Sequence, residues 1–330
     1  MPKPRPPGLE DLGKLFHRTR RSPRPGTYSL TPVLGNLHVS RLPKGEASLV
    51  LSLEAHPGQR VVEFGALRLE IHPEADLRLG RKTETSAIGV LTCSDDGFFH
   101  QFLILASDMC ATLAMDARAL CSAGRFTSFV DDWADVFARV RPMTSEEETG
   151  LWGELEVLIR LPRSTGALEA WHGPEAAPFD FAGDRVYLEV KTSLVGHKHH
   201  FGLEQVSPPS DASRVFLASL RVADDPAAGL SLDEQVERVR ARHGFDVALD
   251  RKLAKLRYRP GASNMRLSLG ECRFIDGALI PRPRQIDKGV SGVHFVADVD
   301  RLAVLGTAQV KSLLGMVSTN GRGPKAPPGR

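Results

Sequence analysis

The stretch Phe179–Lys191, FDFAGDRVYLEVK, constrains this chain more than any other. Two short runs of alternating apolar and polar residues flank Gly183-Asp184, a pair suited to a two-residue hairpin turn. Successive side chains of an extended strand point to opposite faces. Val186, Leu188 and Val190 therefore share one face, and Tyr187, Glu189 and Lys191 the other. In the first run Phe179 and Phe181 share a face and Asp180 takes the opposite one. A turn at Gly183-Asp184 pairs Ala182 with Arg185, Phe181 with Val186 and Asp180 with Tyr187. Directly paired residues lie on one face. The apolar side chains thus gather on one side, and Asp180, Glu189 and Lys191 on the other. Asp180 is then diagonal to Glu189, roughly 7–8 Å away between backbones. A slip of one residue in the turn would move Asp180 to the apolar side.

Two carboxylates and an ammonium on one strand face suit metal-assisted phosphodiester hydrolysis. The carboxylates supply hard oxygen ligands for Mg²⁺, which keeps several of its waters. The ion polarises a phosphoryl oxygen and acidifies a bound water. The lysine orients or deprotonates that water, and its charge offsets that of the phosphate. A solvated strand face with a Glu/Lys pair is the plainer alternative for an isolated ExK.

Upstream, MTSEEETGLWGELEVLIRL opens a helix. Thr144 or Ser145 can cap it, and Glu146, Glu147 and Glu148 sit in its first turn, where the helix dipole favours negative charge. Leu151, Leu155, Leu158 and Ile159 form its apolar stripe. Glu154 stands three residues after Leu151 and four before Leu158, on or beside that stripe. A carboxylate there needs a compensating partner, either a salt bridge or a metal. Glu156 faces elsewhere and is expected in solvent.

Asp180 followed by Glu189-Val190-Lys191 resembles the PD-(D/E)XK nuclease superfamily. The resemblance implies a restriction-endonuclease-like core, a mixed sheet flanked by helices, in an α/β (α+β) chain. Members commonly carry an acidic residue on a preceding helix, and Glu154 matches it. They often carry a glutamine after the ExK strand, where Gln205 falls. That side chain would orient phosphate or the Lys191 amine, or sit as a surface amide. GLWGELEVL, EVKTS, HKHHFGLEQV, RVFLASLRV and CRFIDGALIPRPRQIDKGVSGVHFVADVD are similar to a bacterial family within that superfamily. The likeness is close over about residues 145–300 and loose before them. Phe179 stands where the superfamily has proline, with Pro178 one place further back. The resemblance implies Asp180, Glu189 and Glu154 as ligands of Mg²⁺, or Mn²⁺ in its place, with Lys191 and Gln205 completing the catalytic set. It implies DNA as substrate and a role in restriction or phage defence, beside DNA methyltransferases or helicase-like proteins. Two copies of the chain, a homodimer, would suit a double-strand cut.

The rest of the chain supplies context. Residues 1–26 hold six prolines and seven Lys or Arg against two acids, which reads as a flexible basic lead-in. Residues 27–141 read as a β-rich accessory domain. TYSLTPVLG, ASLVLSLEA, RVVEFG, ALRLEIH, SAIGVLTC and HQFLILAS are its expected strands, and helices start near Ser107 and Thr127. Residues 142–315 form the expected nuclease-like domain, and 316–330 a flexible tail. GHKHH, with His197, His199 and His200, alternates too closely for a closed zinc site. A loop after the ExK strand, with His199 or His200 near phosphate, is expected instead.

The 330 residues carry 43 Lys and Arg against 40 Asp and Glu, so a nucleic-acid footprint must come from clustering. Residues 251–288 contain ten Lys or Arg and three acids. Arg251, Lys255, Arg257 and Arg259 head that run as candidate phosphate contacts, with Arg266, Arg273, Arg282, Arg284 and Lys288 after them. No run of 18 or more apolar residues marks a membrane span. The start MPKPRPPGLEDLG lacks the apolar stretch of a signal peptide, and four irregularly spaced cysteines form no CxxC, so a reduced cytoplasmic setting is expected. The leading function is a Mg²⁺-dependent DNA endonuclease. The alternatives are a non-catalytic DNA-binding or assembly subunit of the same fold, and a hydrolase of small phosphorylated ligands.

Overall fold

A computed structural model describes residues 6–54, 58–80, 82–138, 143–172, 178–244, 246–283 and 292–318. It is mixed α/β, with eight α-helices among the described residues. Internal contacts divide the chain into two compact units, Met1–Pro142 with Val247–Arg259, and Met143–Asp246 with Pro260–Arg330.

The first unit begins with helix α1 (Leu9–Arg18), which buries Leu12 and Phe16 in the unit's core. The expected lead-in is therefore structured over these residues, because the Leu9, Leu12, Phe16 stripe outweighs the proline-rich and basic composition around it. Residues 1–5 lie outside the described residues. Strands β1 (Thr27–Ser29), β2 (Thr31–Leu34), β3 (Leu37–Arg41), β4 (Ala47–Ser52), β5 (Arg60–Phe64), β6 (Leu67–Leu79) and β7 (Lys82–Cys93) form one sheet. Its order is β1-β6-β7-β4-β3-β2, with β5 on β6; among the described residues β1 and β6 pair parallel and the other named strand pairs antiparallel.

Helices α2 (Phe99–Met115) and α3 (Ala123–Ala138) supply the aromatic and aliphatic side chains that join one sheet face in the core. HQFLILAS is thus not a strand but the start of α2, which begins at Phe99 rather than Ser107. A short apolar run cannot distinguish strand from helix when the helix is buried nearly all round. Gly89 in β7 lets the Phe126 ring of α3 lie against the strand, where any Cβ would overlap it. By length and composition Asp96–Met115 could cross a membrane, and 61% of it is buried inside the unit.

The second unit opens with α4 (Ser145–Arg160), capped as its sequence requires. Thr144 Oγ1 accepts from the Glu147 backbone N–H at 3.2 Å, and Glu147 Oε2 accepts from that of Thr144 at 2.8 Å. Helix α5 (Thr165–Ala170) follows, then β8 (Phe181–Ala182), β9 (Val186–Ser193), β10 (Lys198–Gly202), β11 (Arg214–Asp224), β12 (Leu230–Ser231) and α6 (Leu232–His243). Next, α7 (Val247–Lys255) belongs to the first unit, where it packs on α2 and α3 and adds Ala254 to the core. The expected nuclease-like domain had included these residues. Their apolar stripe, with Leu249, Leu253 and Ala254 buried, is what seats them elsewhere. The chain then supplies β13 (Arg266–Asp276), β14 (His294–Asp298) and α8 (Thr307–Ser318) to the second unit. Val317 and Ser318 are buried, so the expected tail from 316 is helical to 318, and 319–330 lie outside the described residues.

The second unit's main sheet runs β12-β13-β11-β9-β8, with β9 and β11 parallel and the other neighbours antiparallel. Strands β10 and β14 form a separate antiparallel pair. Helix α4 packs on both β9 and α6. Glu156, expected in solvent, is consequently buried. Its carboxylate meets Arg160 at 3.0 Å, Arg238 at 3.1 Å and the Gln235 amide at 3.2 Å.

Two glycines on α4 separate packing from propensity. A Cβ on Gly153 would overlap the Thr192 hydroxyl of β9, whereas one on Gly150 would meet nothing within 4 Å. Gly150→Ala should therefore stabilise the protein by up to about 1 kcal/mol, the ordinary helix-propensity gain. Gly153→Ala should lose that gain and destabilise, with overpacking of about 1–3 kcal/mol. Denaturant midpoints of the two variants check this, and equal stabilisation by both would mean that α4 does not lean on β9.

Candidate active site

Strands β8 and β9 pair with Phe181 opposite Leu188 and Ala182 opposite Tyr187. The connection is the three residues Gly183–Arg185, closed by the Gly183 N–H on Val186 O at 2.8 Å, with Arg185 in the left-handed region at φ 59°. The expected Gly183-Asp184 two-residue turn is therefore corrected by a register shift of two. An even shift keeps facial parity, and Asp180 stays with Glu189 and Lys191. Phe179 departs from the expected alternation. The backbone bends before β8, and the Phe179 ring packs on Tyr187 at 4.8 Å rather than joining the Val186, Leu188, Val190 face.

Asp180 is held by its own backbone and by β9. Its Oδ2 accepts from the Val190 N–H at 2.7 Å, and its carbonyl accepts from the His172 N–H at 2.7 Å. Glu189 is 2% exposed. Its Oε1 meets Lys191 Nζ at 2.8 Å and accepts from Gln205 Nε2 at 2.7 Å, while Oε2 is buried with no hydrogen-bond partner. Gln205 stands on a short turn, Leu203–Gln205, directly after β10. Its Oε1 accepts from Lys191 Nζ at 3.2 Å and from the Gly202 N–H at 2.9 Å. One amide thus holds both the ammonium and the carboxylate of the ExK strand. The Phe201 ring lies 5.8 Å from Lys191 Nζ.

Glu154 reaches this group from α4. Its Oε2 accepts from Trp171 Nε1 at 2.9 Å and lies 2.7 Å from His172 Nε2. Ligand atoms of Glu154, His172 and Asp180 all lie within 4.8 Å of one another. His172 was not legible as a site residue. No spacing rule connects it to Glu154, eighteen residues back across the end of one helix and the whole of another.

Burial dominates the electrostatics. It pushes the Asp180 carboxyl well above its ordinary value, and the neighbouring Glu189 and Glu154 push the same way. Glu189 rises to about 7 through burial, against the opposing pull of Lys191. Ionised together, these carboxylates would carry more negative charge than Lys191 compensates. A divalent cation fits the site: the orphaned Glu189 oxygen lacks a partner, and carboxylate oxygens are the donors such an ion takes. Asp180, Glu189 and Glu154 would hold it.

The residues read as nucleic-acid contacts fall in both units. GHKHH is not a loop, since Lys198–Gly202 is strand β10. His199 is buried, its Nε2 2.6 Å from Ser219 Oγ, and burial lowers its pKa to about 4. It cannot face phosphate as expected, whereas His200 is exposed. His197 is buried between Ser219 Oγ at 2.7 Å and Glu271 Oε2 at 3.1 Å. The basic run is split, with Arg251, Lys255, Arg257 and Arg259 in the first unit and Arg266, Arg273 and Arg282 in the second. Arg284 and Lys288 lie outside the described residues. Arg251 is turned inward, paired with Asp108 and Asp132 at 3.5 and 3.6 Å and set over the Trp133 ring. Its guanidinium is thus already engaged. Arg259 lies over the Phe98 ring, 4.2 Å from its centroid.

The model of a protein family described as "Putative PD-(D/E)XK family member, (DUF4420)" matches residues 31–299. No curated protein matches the chain, and no solved structure does.

The raised carboxyl values set a direction for stability. A carboxyl whose folded-state pKa is raised stabilises the fold below its ordinary value, and that contribution is lost as pH rises through the folded value. For Glu189 the window runs from 4.5 to about 7. In EDTA, the unfolding temperature of the parent relative to Glu189→Gln should fall between pH 5 and pH 8. Saturating Mg²⁺ should recover the loss at pH 8 in the parent alone. A difference that stays constant with pH would show that Glu189 is not desolvated.

Proposed function

Because the chain belongs to this PD-(D/E)XK family, we propose that it is a metal-dependent phosphodiesterase, and specifically a nuclease acting on DNA. The observation that carries this reading is the buried, unpartnered Oε2 of Glu189, on the same side chain that binds Lys191. A solvated strand face would leave no such oxygen, since water would satisfy it. The same reading takes the sheet of β8, β9, β11 and β13, with α4 against β9, as a restriction-endonuclease-like core. Its support is the order of helix and strands around the Asp180, Glu189, Lys191 set.

When bound, a divalent cation would polarise a phosphoryl oxygen and make a coordinated water more acidic. The protein's residues do the rest. Asp180 and Glu189 would hold the ion, and Glu154 would add a third carboxylate from the helix. Lys191, 22% exposed, keeps one side open to a phosphate. Its ammonium is a donor and not a metal ligand, so it acts on the water and on developing phosphate charge. Gln205 positions Lys191 by accepting its N–H, and fixes Glu189 Oε1 so that Oε2 is left for the cation. The proposed setting is restriction or phage defence in the cytoplasm, beside DNA methyltransferases or helicase-like proteins, and its support is the sequence resemblance alone.

A plasmid nicking assay and Mg²⁺ calorimetry, with any partner proteins present, test the assignment. Lys191→Ala should bind Mg²⁺ and lose about 10²–10⁴-fold in cleavage. Asp180→Asn should lose both binding and cleavage. Cleavage by Lys191→Ala at the parent's rate would overturn the role of the lysine. A parent that binds no divalent ion and cuts nothing would favour a non-catalytic DNA-binding or assembly subunit.

Lys255, Arg257 and Arg259 remain the proposed phosphate contacts of the first unit. Replacing Arg257 and Arg259 with alanine should weaken DNA binding irrespective of sequence and flatten its dependence on salt. An unchanged slope would take this stretch out of the interface.

A further inference from the structure

His172 is placed with more care than a surface imidazole needs. Its backbone sits at φ 43°, a region that non-glycine residues seldom adopt. Its N–H is fixed on the Asp180 carbonyl at 2.7 Å, and the preceding Trp171 forms a β-bridge with Phe181. The Trp171 and His172 rings are 5.1 Å apart. These restraints bring Nε2 to 2.7 Å from Glu154 Oε2, while the side chain stays 32% exposed. Glu154, by contrast, is 15% exposed and is held independently by the Trp171 indole N–H.

We propose that His172 is a nitrogen ligand of the site's divalent cation, with Glu154 and Asp180, and that it makes the site prefer Mn²⁺ to Mg²⁺. The inference rests on the reading of this cluster as a metal centre and adds the identity of a ligand and of the ion. Three observations carry it. First, the three ligand atoms span 4.8 Å at most. Ligands at about 2.0–2.2 Å from one ion need only a few tenths of an ångström of closure to reach it. Second, Glu189, outside that group of three but within electrostatic reach of Asp180, Glu154 and His172, carries a buried Oε2 with no hydrogen-bond partner on a side chain 3% exposed. Third, Trp171 Nε1 binds the same Glu154 oxygen as His172. When the imidazole turns to an ion, that carboxylate keeps an outer hydrogen bond that orients it, as outer partners of metal ligands commonly do. The selectivity follows from donor chemistry. Mg²⁺ favours an all-oxygen shell, whereas imidazole nitrogen raises affinity for the later, softer divalent ions relative to it.

The test uses the purified full chain with Mn²⁺ and Mg²⁺ as probes. Mn²⁺ binding is followed by its electron paramagnetic resonance and Mg²⁺ by competition, and pulsed measurements on the bound Mn²⁺ detect coupled nitrogen. The variants are His172→Asn and His172→Asp, since both residues accept a left-handed backbone. The parent should show nitrogen coupling and prefer Mn²⁺. His172→Asn should lose the coupling and about tenfold or more of that preference. His172→Asp, which replaces nitrogen with oxygen, should bind Mg²⁺ more tightly than the parent does. A parent that binds Mn²⁺ without nitrogen coupling overturns the inference and leaves the carboxylate centre standing. So does coupling that persists in His172→Asn. A parent that binds neither ion overturns the inference and the metal centre together.

Discussion

Glu154, Asp180 and Glu189 bring three carboxylates together beside the middle of β9, where Lys191 is the nearby ammonium. Taking carboxylates out of water is expensive, and their mutual repulsion adds to the cost. Each is held by specific donors: the Val190 N–H on Asp180, Gln205 and Lys191 on Glu189, and Trp171 and His172 on Glu154. These donors fix positions but do not balance the charge. A divalent cation would do so, which is why the same cluster is both a liability of the metal-free fold and a centre for phosphate chemistry. The Lys191 ammonium then has two tasks, pairing with Glu189 and presenting positive charge outward.

The fold delivers this cluster through close backbone approaches. Gly153 lets α4 lie on β9 at Thr192, and Glu154 is the next residue. The Thr144 capping box starts that helix at a defined place, so the turn carrying Glu154 is set relative to the strand. Parallel pairing of β9 with β11 keeps the ExK strand within the sheet, next to Ser219, and the His197 and His199 rings bind Ser219 from β10 and its approach. Strand β10 leads directly into the turn bearing Gln205. A buried histidine pair thus helps fix the strand from which the lysine-binding amide departs.

Much of the site was legible because period-2 alternation is insensitive to an even shift of register. The turn at Gly183 is longer than the dipeptide suggested, yet Asp180, Glu189 and Lys191 remain together. Glu154 was legible from its place beside an apolar stripe. What the sequence hid depends on contacts distant in the chain. Glu156 looks solvated until α6 covers it with Gln235 and Arg238. Arg251 looks like a phosphate contact until Asp108 and Asp132 take its guanidinium. HQFLILAS reads as a strand because a helix buried nearly all round shows no amphipathic period. His172 carries no local signature, since its position is set by a bond to the backbone of Asp180 across residues that no motif spans.

The central claim is that Asp180 and Glu189 together hold a divalent cation that Lys191 does not touch. A crystal structure grown with Mn²⁺, with diffraction recorded at the manganese absorption edge, tests it most directly. The expected result is an anomalous peak within about 2.0–2.3 Å of an oxygen of each of Asp180 and Glu189, with Lys191 Nζ outside the coordination shell. Full Mn²⁺ in the crystal with no peak there, and Glu189 Oε2 hydrogen-bonded instead to a protein donor or a water, would contradict it.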